Sequence, residues 1–360
     1  MKLRGKEFGR VFCAAGARNF FGTEEDAYWF HRVWVLRLFY GLMSFLLRRP
    51  WGHNYAGSTF VSKTTTLSAR EGNMPLKAGT VLPRELFPKC VVANFWGGYA
   101  LNKVGLSGPG TEWLLQQKKW QRRGEPFVIS FMSVATSKAE RLEELRSFVM
   151  LMLTAALNET FSAPVAIEIN LSCPNVGLDQ KHLVEEAQEM RGIFRPLYEL
   201  GWVMGFKLSV EIEARVGVEI SKYCDFLTIT NTIGYGKFPG QIDWRKLFGS
   251  DTSPLAAIGA PGGGGLSGKP LLPLVVTWIA HLREFGVKTP IIGGGGILSV
   301  GDARKVLAAG ADAVSLGCVS MLRPWRVASI IHAVNNTNNE VSDESFDKLR
   351  TTRDRTAGTV

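Results

Sequence analysis

The sequence has few cysteines, and no two of them are close together in the sequence. Cys13, Cys90, Cys173, Cys224 and Cys318 are widely spaced, with no CxxC pair and no Cys/His cluster. This pattern argues against a disulfide framework, a zinc site and an iron–sulfur cluster held within the chain. A protein that keeps its thiols free suits a reducing compartment, and we expect a cytoplasmic location.

Targeting and membrane-spanning signals are also missing. The basic residues 1–10 are not followed by the apolar stretch and cleavage site of a signal peptide. The segment 28–47 is the most apolar, but Arg32 and Arg37 interrupt it, whereas a membrane-spanning helix needs ~20 apolar residues. No GxGxxG follows the first predicted strand, which disfavours a two-domain doubly wound fold, the structural alternative.

Positively charged residues are in excess. The chain has 42 Lys and Arg against 32 Asp and Glu, a formal net charge of +10. Such an excess suits nucleic acid, anionic lipid or an anionic small-molecule substrate. With 46% hydrophobic and 21% charged residues the composition is that of a folded protein, and 360 residues allow one α/β barrel.

Short apolar runs alternate with helical patterns along most of the chain. The runs are continuous rather than alternating, which is typical of a parallel sheet covered on both faces. Repeated eight times, the pattern predicts a single (β/α)8 TIM barrel over residues 1–335. The predicted strands are 10–15, 58–63, 127–132, 164–171, 203–209, 225–230, 289–293 and 312–317, with helices at 138–158, 180–200, about 270–285 and 301–309.

Three segments depart from this rhythm. Residues 64–126 are rich in Gly and Pro and predict a long excursion over the C-terminal face of the barrel. Residues 336–360 form a polar tail that we expect to be partly disordered. Residues 28–49 predict an extended apolar, amphipathic first helix. That helix is either buried against the barrel on most sides or an interfacial helix for a membrane or partner.

Catalytic groups of parallel barrels lie at the C-terminal strand ends, and glycines cluster there in this sequence. Gly293–Gly296 after the seventh strand and Gly317 after the eighth predict a phosphate site, since backbone N–H groups approach phosphate where no Cβ intervenes. A second glycine run that ends at Gly268 either adds donors or is a flexible linker.

Lysines and amides end other strands. Lys63 and Lys207 predict contacts with an anion, the alternative being lysines that reach solvent. Uncharged amides suit a planar ligand that both donates and accepts hydrogen bonds, such as a pyrimidine or a flavin edge. Four asparagines are candidates for this role: Asn102, Asn170, Asn175 and Asn231.

Cys173 is the candidate proton-transfer group. It lies in a loop beside Ser172, and a thiol acts as a base when nearby cations favour the thiolate. The alternative is a small buried hydrophobe, the state that we expect for Cys13, Cys90 and Cys224. The five histidines fall outside these motifs and are assigned no chemistry.

Together these motifs resemble the dihydroorotate dehydrogenase family over about residues 10–330. The string Asn170-Leu-Ser-Cys173-Pro-Asn175 is the most specific single motif, and the ordered set is more specific still. The other matching pieces are Phe12–Gly16, Lys63-Thr64, Leu101–Leu106, Phe206–Leu208, Thr230–Thr232, Gly265–Gly268 and Ile292–Ile297.

The resemblance implies an FMN-dependent enzyme that oxidises (S)-dihydroorotate to orotate in de novo pyrimidine biosynthesis. Cys173 would take the C5 proton while the C6 hydride passes to flavin N5. A cysteine at this position is similar to the soluble class 1 branch, because the membrane-bound class 2 branch has serine there.

The resemblance also implies a set of binding residues. Substrate would be held by Lys63, Asn102, Val104, Gly105, Leu106, Asn170, Asn175, Asn231 and Thr232. FMN would be held by Ala15, Gly16, Lys63, Thr64, Asn170, Lys207, Thr230, Gly268, Gly295, Gly296, Gly317 and Cys318, with Lys207 near flavin N1.

Three features depart from the family pattern: the apolar helix, Lys103 and the long segment 232–264. They leave the electron acceptor open among fumarate, NAD through a separate iron–sulfur flavoprotein subunit, and a membrane quinone. We expect a homodimer, and a peripheral membrane contact through 28–47 is the alternative to a purely cytoplasmic protein.

Two other functions compete with this one. The first is a flavin barrel that reduces another pyrimidine, similar to dihydropyrimidine dehydrogenase or tRNA dihydrouridine synthase. The second is a non-catalytic, membrane-associated flavin-binding protein. Nucleic acid is not the expected partner, because the polar tail is too short for an RNA-binding domain.

Overall fold

A parallel eight-stranded sheet forms the centre of the computed structural model, which describes residues 1–23, 34–47, 52–171, 180–258 and 263–336. The described strands are β1 (Lys2–Leu3), β2 (Lys6–Glu7), β3 (Val11–Cys13), β4 (Phe60–Val61), β5 (Val91–Asn94), β6 (Tyr99–Asn102), β7 (Phe127–Phe131), β8 (Val165–Asn170), β9 (Val203–Leu208), β10 (Phe226–Ile229), β11 (Ile233–Gly234), β12 (Gly265–Gly268), β13 (Ile291–Gly294) and β14 (Ala313–Leu316).

The central sheet closes into a barrel. Its strand order is β3-β14-β13-β10-β9-β8-β7-β4, and a parallel bridge between Phe12 and Thr59 joins the two edge strands. Each of the eight predicted strands is present and is one to four residues shorter than its apolar run. The prediction of a (β/α)8 barrel is confirmed.

The barrel interior changes character along its axis. Its lower part is apolar, with Val203, Phe226 and Ala313 buried together. Gly205 leaves room for the Phe226 ring, which would lie 2.4 Å from a Cβ at that position. The hairpin β1–β2 covers the N-terminal end of the barrel, where Leu3 and Phe8 join the same apolar cluster.

A second, antiparallel sheet was not predicted. Its order is β11-β12-β6-β5, so it combines strands from 64–126 with strands from 232–268. The first of these segments was predicted only as a long excursion over the C-terminal face, and it contains the hairpin β5–β6. The glycine run is likewise not a linker throughout, because Gly265–Gly268 forms β12 and pairs with β6.

The described helices follow the predicted positions closely. The helix at Lys138–Asn158 has the predicted bounds, and Ser137 and Glu140 form a capping box at its start. The predicted helix 180–200 divides into two near Phe194, and the second part begins at Arg195 with Pro196 in its first turn. The helices are α1 (Trp34–Leu46), α2 (Thr111–Gln116), α3 (Lys138–Asn158), α4 (Gln180–Ile193), α5 (Arg195–Glu199), α6 (Ala214–Ser221), α7 (Trp244–Phe248), α8 (Leu272–Glu284), α9 (Val300–Ala308), α10 (Val319–Leu322) and α11 (Val327–Asn336).

Helix α1 is not buried against the barrel. Leu42, Phe45 and Leu46 are exposed, with 79% of Phe45 accessible. The interpretation of this helix as a barrel helix buried on most sides is therefore wrong for the described residues. The helix ends at Leu46 rather than at residue 49, and 28–33, 48–49 and the tail beyond 336 lie outside the described residues.

Candidate active site

The upper part of the barrel interior contains a small cavity of about 20 Å³. Its floor is apolar and includes Phe226 and Ile292. Its upper wall is polar and includes Glu168, Lys207 and Thr228. The polar groups therefore lie at the C-terminal strand ends, where a parallel barrel places its chemistry.

Lys63 lies at this mouth and is buried. Its Nζ donates a 2.7 Å hydrogen bond to the carbonyl oxygen of Ser107 and lies 5.0 Å from the centre of the Phe20 ring. Burial lowers the pKa of the Lys63 ammonium from 10.5 to about 8. The alternative in which this lysine reaches solvent is wrong, and an anion bound beside it would stabilise its charge.

The predicted amides form a connected row. Asn231 donates from Nδ2 to Oδ1 of Asn170 at 3.2 Å, and the Oδ1 of Asn231 accepts from the backbone N–H of Thr232 at 2.9 Å. Asn102 pairs with Gly265 in the second sheet, and Gly265 packs against Thr232. Residues from two barrel strands and from the sheet above therefore meet at one edge of the mouth.

The loop at Val104–Leu106 lies beside Lys63. The carbonyl of Val104 accepts from the backbone N–H of Asn73 at 2.8 Å, and that of Gly105 accepts from Arg70 Nε at 3.0 Å. The next residue in the chain, Ser107, accepts the hydrogen bond of Lys63. The segment 70–73 thus fixes this loop against the lysine.

Thr64, Ser130 and Glu168 form a hydrogen-bonded chain. Ser130 Oγ donates to Glu168 Oε1 at 2.9 Å, and Thr64 Oγ1 lies 2.9 Å from Ser130 Oγ. Because the carboxylate accepts and Ser130 has one hydroxyl proton, Thr64 must donate to Ser130. Thr64 therefore presents only lone pairs to a further partner.

Glycine turns line the opposite side of the mouth. Gly268 has φ 105°, and a Cβ there would lie 2.3 Å from the Gly98 carbonyl oxygen. Gly296 has φ 80°, and a Cβ there would lie 2.9 Å from the Gly268 carbonyl oxygen. Only glycine fits both positions, so this close approach is built into the sequence.

The predicted cofactor residues follow the same strand ends. Ala15 and Thr230 line the cavity, and Thr230 Oγ1 accepts from the Val210 N–H at 3.0 Å. A Cβ on Gly16 would lie 3.9 Å from Cγ of Lys63. Gly295 and Gly317 follow the paired strands β13 and β14.

Cys318 follows Gly317 directly. Burial of the sulfur raises the pKa of the Cys318 thiol to about 11, partly opposed by a hydrogen bond from the backbone of Gly296. The thiol is therefore protonated at neutral pH. Among the other cysteines, Cys13, Cys90 and Cys224 are buried, as predicted for structural residues.

Cys173 and Asn175 lie in 172–179, outside the described residues. The residue before this segment, Leu171, donates its backbone N–H to the Lys207 carbonyl oxygen at 3.1 Å. Leu171 therefore lies at the rim of the mouth.

Three observations test whether these residues fit FMN. The buried Thr228 Oγ1 has no hydrogen-bond partner among the described residues, although it belongs to the cavity wall. The cavity wall also holds the cation of Lys207, and the glycine turns at the rim expose backbone near the helix starts. An unpartnered hydroxyl, a cation and bare backbone suit a flavin with a phosphate tail, so the residues fit the group.

Sequence reasoning missed three contributors to the site. Ser107 and Ser130 are short polar residues whose roles depend on the folded register. Glu168 did carry a signal, because it is a charged residue inside the buried strand Val165–Asn170.

Comparisons with known proteins agree with this geometry. A family model described as dihydroorotate dehydrogenase matches residues 55–337. The catalytic subunit of dihydroorotate dehydrogenase B (NAD(+)) from Endomicrobium trichonymphae is 28% identical over 295 residues, covering 80% of this chain and 83% of that protein. A putative dihydroorotate dehydrogenase A (fumarate) from Pediococcus pentosaceus is 29% identical over 276 residues, covering 73% and 81%.

A solved structure shows the same fold. The crystal structure of the Eimeria tenella DHODH in complex with ferulenol superposes with a TM-score of 0.62 at 16% sequence identity. The match covers 94% of this chain and 84% of that one. Among the described helices, none has both the length and the apolar character that crossing a bilayer requires.

Proposed function

The chain belongs to the dihydroorotate dehydrogenase family, and on that premise we propose that it oxidises (S)-dihydroorotate to orotate with FMN as cofactor. The observation that carries the proposal is the meeting of the buried Lys63 cation with the linked amides of Asn170 and Asn231 at one mouth. A cation beside neutral donors and acceptors matches a pyrimidine ring that bears a carboxylate.

Each side of the mouth would hold a different part of the substrate. Lys63 would bind the carboxylate, and its lowered pKa of about 8 means that an anion there would regain the cost of burying the charge. Asn102, Asn170, Asn231 and Thr232 would bind the ring, with Asn175 from the segment outside the described residues. The backbone of Val104, Gly105 and Leu106 would close the side beside Lys63.

Cys173 would act as the base that removes the proton from C5. Its support is the sequence motif and the position of Leu171 at the rim, from which the segment continues. FMN, when bound, would supply the acceptor for the hydride that leaves C6.

The residues around the cavity would hold the cofactor. Lys207 would lie against the part of the flavin that gains negative charge on reduction, where a fixed cation stabilises the reduced form. The glycine turns at Gly295, Gly296 and Gly317, with Gly268 and the backbone of Cys318, would bind the phosphate. Ala15, Gly16, Thr64 and Thr230 would contact the ring system.

Anaerobic mixing with dihydroorotate tests this function. The purified protein should be yellow, and dihydroorotate should bleach the flavin absorbance in stopped flow. Cys173→Ser should keep the flavin and slow the bleaching by ~10²-fold or more, the usual contribution of a general base. Cys224→Ser is the matched control, because that thiol is buried away from the mouth, and its bleaching rate should be unchanged.

The opposite results have distinct meanings. A colourless protein that does not take up FMN would contradict the cofactor. A yellow protein that dihydroorotate does not bleach would favour the reductase of another pyrimidine or the non-catalytic protein. A salt-dependent shift of tRNA on a gel would point to the tRNA dihydrouridine synthase alternative.

The electron acceptor and the assembly belong to the same proposal. The relatives that match are named for NAD(+) and for fumarate, so both acceptors are candidates, beside a membrane quinone. Steady-state turnover with the three acceptors separates them. We propose a cytoplasmic homodimer, which sedimentation of the purified protein would test.

A peripheral membrane contact is favoured by the exposed face of helix α1. Leu42, Phe45 and Leu46 are exposed on it. An exposed apolar helix face suits the interface of a bilayer, and the net charge of +10 would favour anionic lipids.

Vesicle flotation tests the membrane contact. The wild type should float with vesicles that contain phosphatidylglycerol, and Phe45→Ser should weaken the binding by about tenfold, from the loss of one buried aromatic side chain. Phe285→Ser removes a Phe that is 49% exposed at the end of α8 and should float like the wild type. If the wild type binds no vesicles, the contact does not exist.

A further inference from the structure

The wall of the cavity carries two opposite charges. Of the described residues that line it, Glu168 and Lys207 are the charged ones. Glu168 is 3% exposed, so bulk water does not solvate its carboxylate. A buried carboxylate is costly unless it is paired or hydrogen-bonded.

The strand register sets the distance between these charges. In the pairing of β8 with β9, Asn170 lies opposite Lys207 and Glu168 lies opposite Gly205. Lys207 is therefore on the neighbouring strand and two residues further along than Glu168. This offset places the two Cα atoms about 8 Å apart. Both side chains then extend into the same cavity, so each lies in the field of the other.

The hydrogen-bonded chain gives the carboxylate its second link to the cofactor site. Ser130 donates to Glu168 at 2.9 Å, and Thr64 follows at 2.9 Å from Ser130. Glu168 is thus linked through Ser130 to Thr64 and shares the cavity wall with Lys207, and the proposed function assigns both Thr64 and Lys207 to the flavin. Ser130 holds the carboxylate in place.

We propose that Glu168 is a positioning residue that offsets the charge of Lys207 and so limits the preference of the site for reduced flavin. The inference rests on the proposed function, since it assumes that FMN binds at this mouth. A cation near the flavin stabilises the anionic reduced form, and a nearby carboxylate opposes that effect. Without Glu168 the site would bind reduced flavin more tightly and release its electrons less readily.

The flavin midpoint potential of the holoenzyme measures this effect directly. Glu168→Gln keeps the shape of the side chain and removes its charge. We expect the ratio of affinities for reduced over oxidised FMN to rise about tenfold, a shift of ~30 mV upward for a two-electron couple. An unchanged or lowered potential would overturn the inference.

Two controls separate charge from structure. Ser130→Ala removes the neutral hydroxyl but leaves both charges, so the affinity ratio should change by less than about threefold. Lys207→Met should lower the ratio, and Glu168→Gln added in that background should raise it again, because the fields of the two charges add at the flavin. A ratio that Glu168→Gln leaves unchanged in both backgrounds would refute the proposed role.

A smaller change keeps the inference testable if Glu168→Gln does not hold FMN. Glu168→Asp draws the carboxylate back by one methylene, so the ratio should rise by about twofold, and no rise would count against the role. Failure of the proposed function looks different, because the wild type itself would then be colourless or would not be bleached by dihydroorotate.

Discussion

The two ends of the barrel interior differ in what their side chains do. At the N-terminal end Phe8, Val203 and Ala313 are buried in one apolar cluster. At the C-terminal end Glu168, Lys207 and Thr228 occupy inward positions on barrel strands β8, β9 and β10. The side chains at the lower end stabilise the fold by apolar burial. The polar and charged groups at the upper end are costly to bury until a ligand pairs with them.

This contrast shows how one sheet serves two purposes. An inward residue on a strand is followed two positions later by another inward residue. Val203 therefore leads to Lys207 along β9, and Phe226 leads to Thr228 along β10. The same strand is a packing element at its start and a binding element at its end.

The largest expected effect lies at the lower end. Phe8→Ala leaves a cavity beneath the barrel and should lower the free energy of unfolding by about 3–5 kcal/mol. FMN affinity should stay within twofold of the wild type, because Phe8 does not line the upper cavity. Urea unfolding and flavin fluorescence measure the two quantities. A large loss of FMN affinity in the folded variant would break the division between the two ends.

A pH titration sharpens the contrast at the upper end. Above pH 8 Lys63 loses its proton in the free protein, since burial lowers its pKa to about 8. Orotate affinity should then fall as pH rises, by up to about tenfold per pH unit, because the carboxylate prefers the charged lysine. Calorimetry from pH 7 to 9.5 measures this slope.

Lys63→Met is the control for that titration. It should bind orotate weakly at all pH values and lack the slope that belongs to Lys63. Without ligand, the pKa of Lys63 is about 8 in the folded protein and 10.5 in the unfolded chain, so between these pH values the unfolded chain binds more protons. The contribution of Lys63 to the free energy of unfolding therefore rises with pH across this range. If orotate affinity falls equally with pH in the wild type and in the variant, the assignment of Lys63 to the carboxylate is contradicted.

The smallest effect concerns one hydroxyl. Thr228→Val removes a buried Oγ1 that lacks a partner among the described residues, so the cofactor-free protein should gain about 1 kcal/mol of stability. The gain should shrink when FMN is bound, if the flavin or its water satisfies this hydroxyl. Urea unfolding with and without FMN measures both values. A loss of stability in the cofactor-free variant would show that the hydroxyl is satisfied there.

The sequence predicted the barrel well, because buried parallel strands are continuous apolar runs. Helix α3 was predicted to the residue, and the structure shows that Ser137 and Glu140 form the capping box at its start. The second sheet was missed because its strands are two to four residues long and come from distant segments. A strand such as Gly265–Gly268 has no side-chain pattern to recognise.

The candidate site was predicted to a similar extent. Strand ends identified Lys63, Asn170 and Lys207, and these lie at one mouth. Glu168 was not assigned a role, because the sequence alone does not show that this buried carboxylate lines the same cavity as Lys207. The exposure of α1 also depends on tertiary packing, which the helical wheel alone does not determine.

Strand β12 joins two parts of the mouth that would bind different molecules. Its first residue, Gly265, pairs with Asn102 on the side proposed for the pyrimidine, and its last, Gly268, packs against Gly296 on the side proposed for the phosphate. Three steps of extended chain span about 10 Å, which leaves little slack between the two. Orotate and FMN should therefore each strengthen the binding of the other, in equal measure as thermodynamic reciprocity demands.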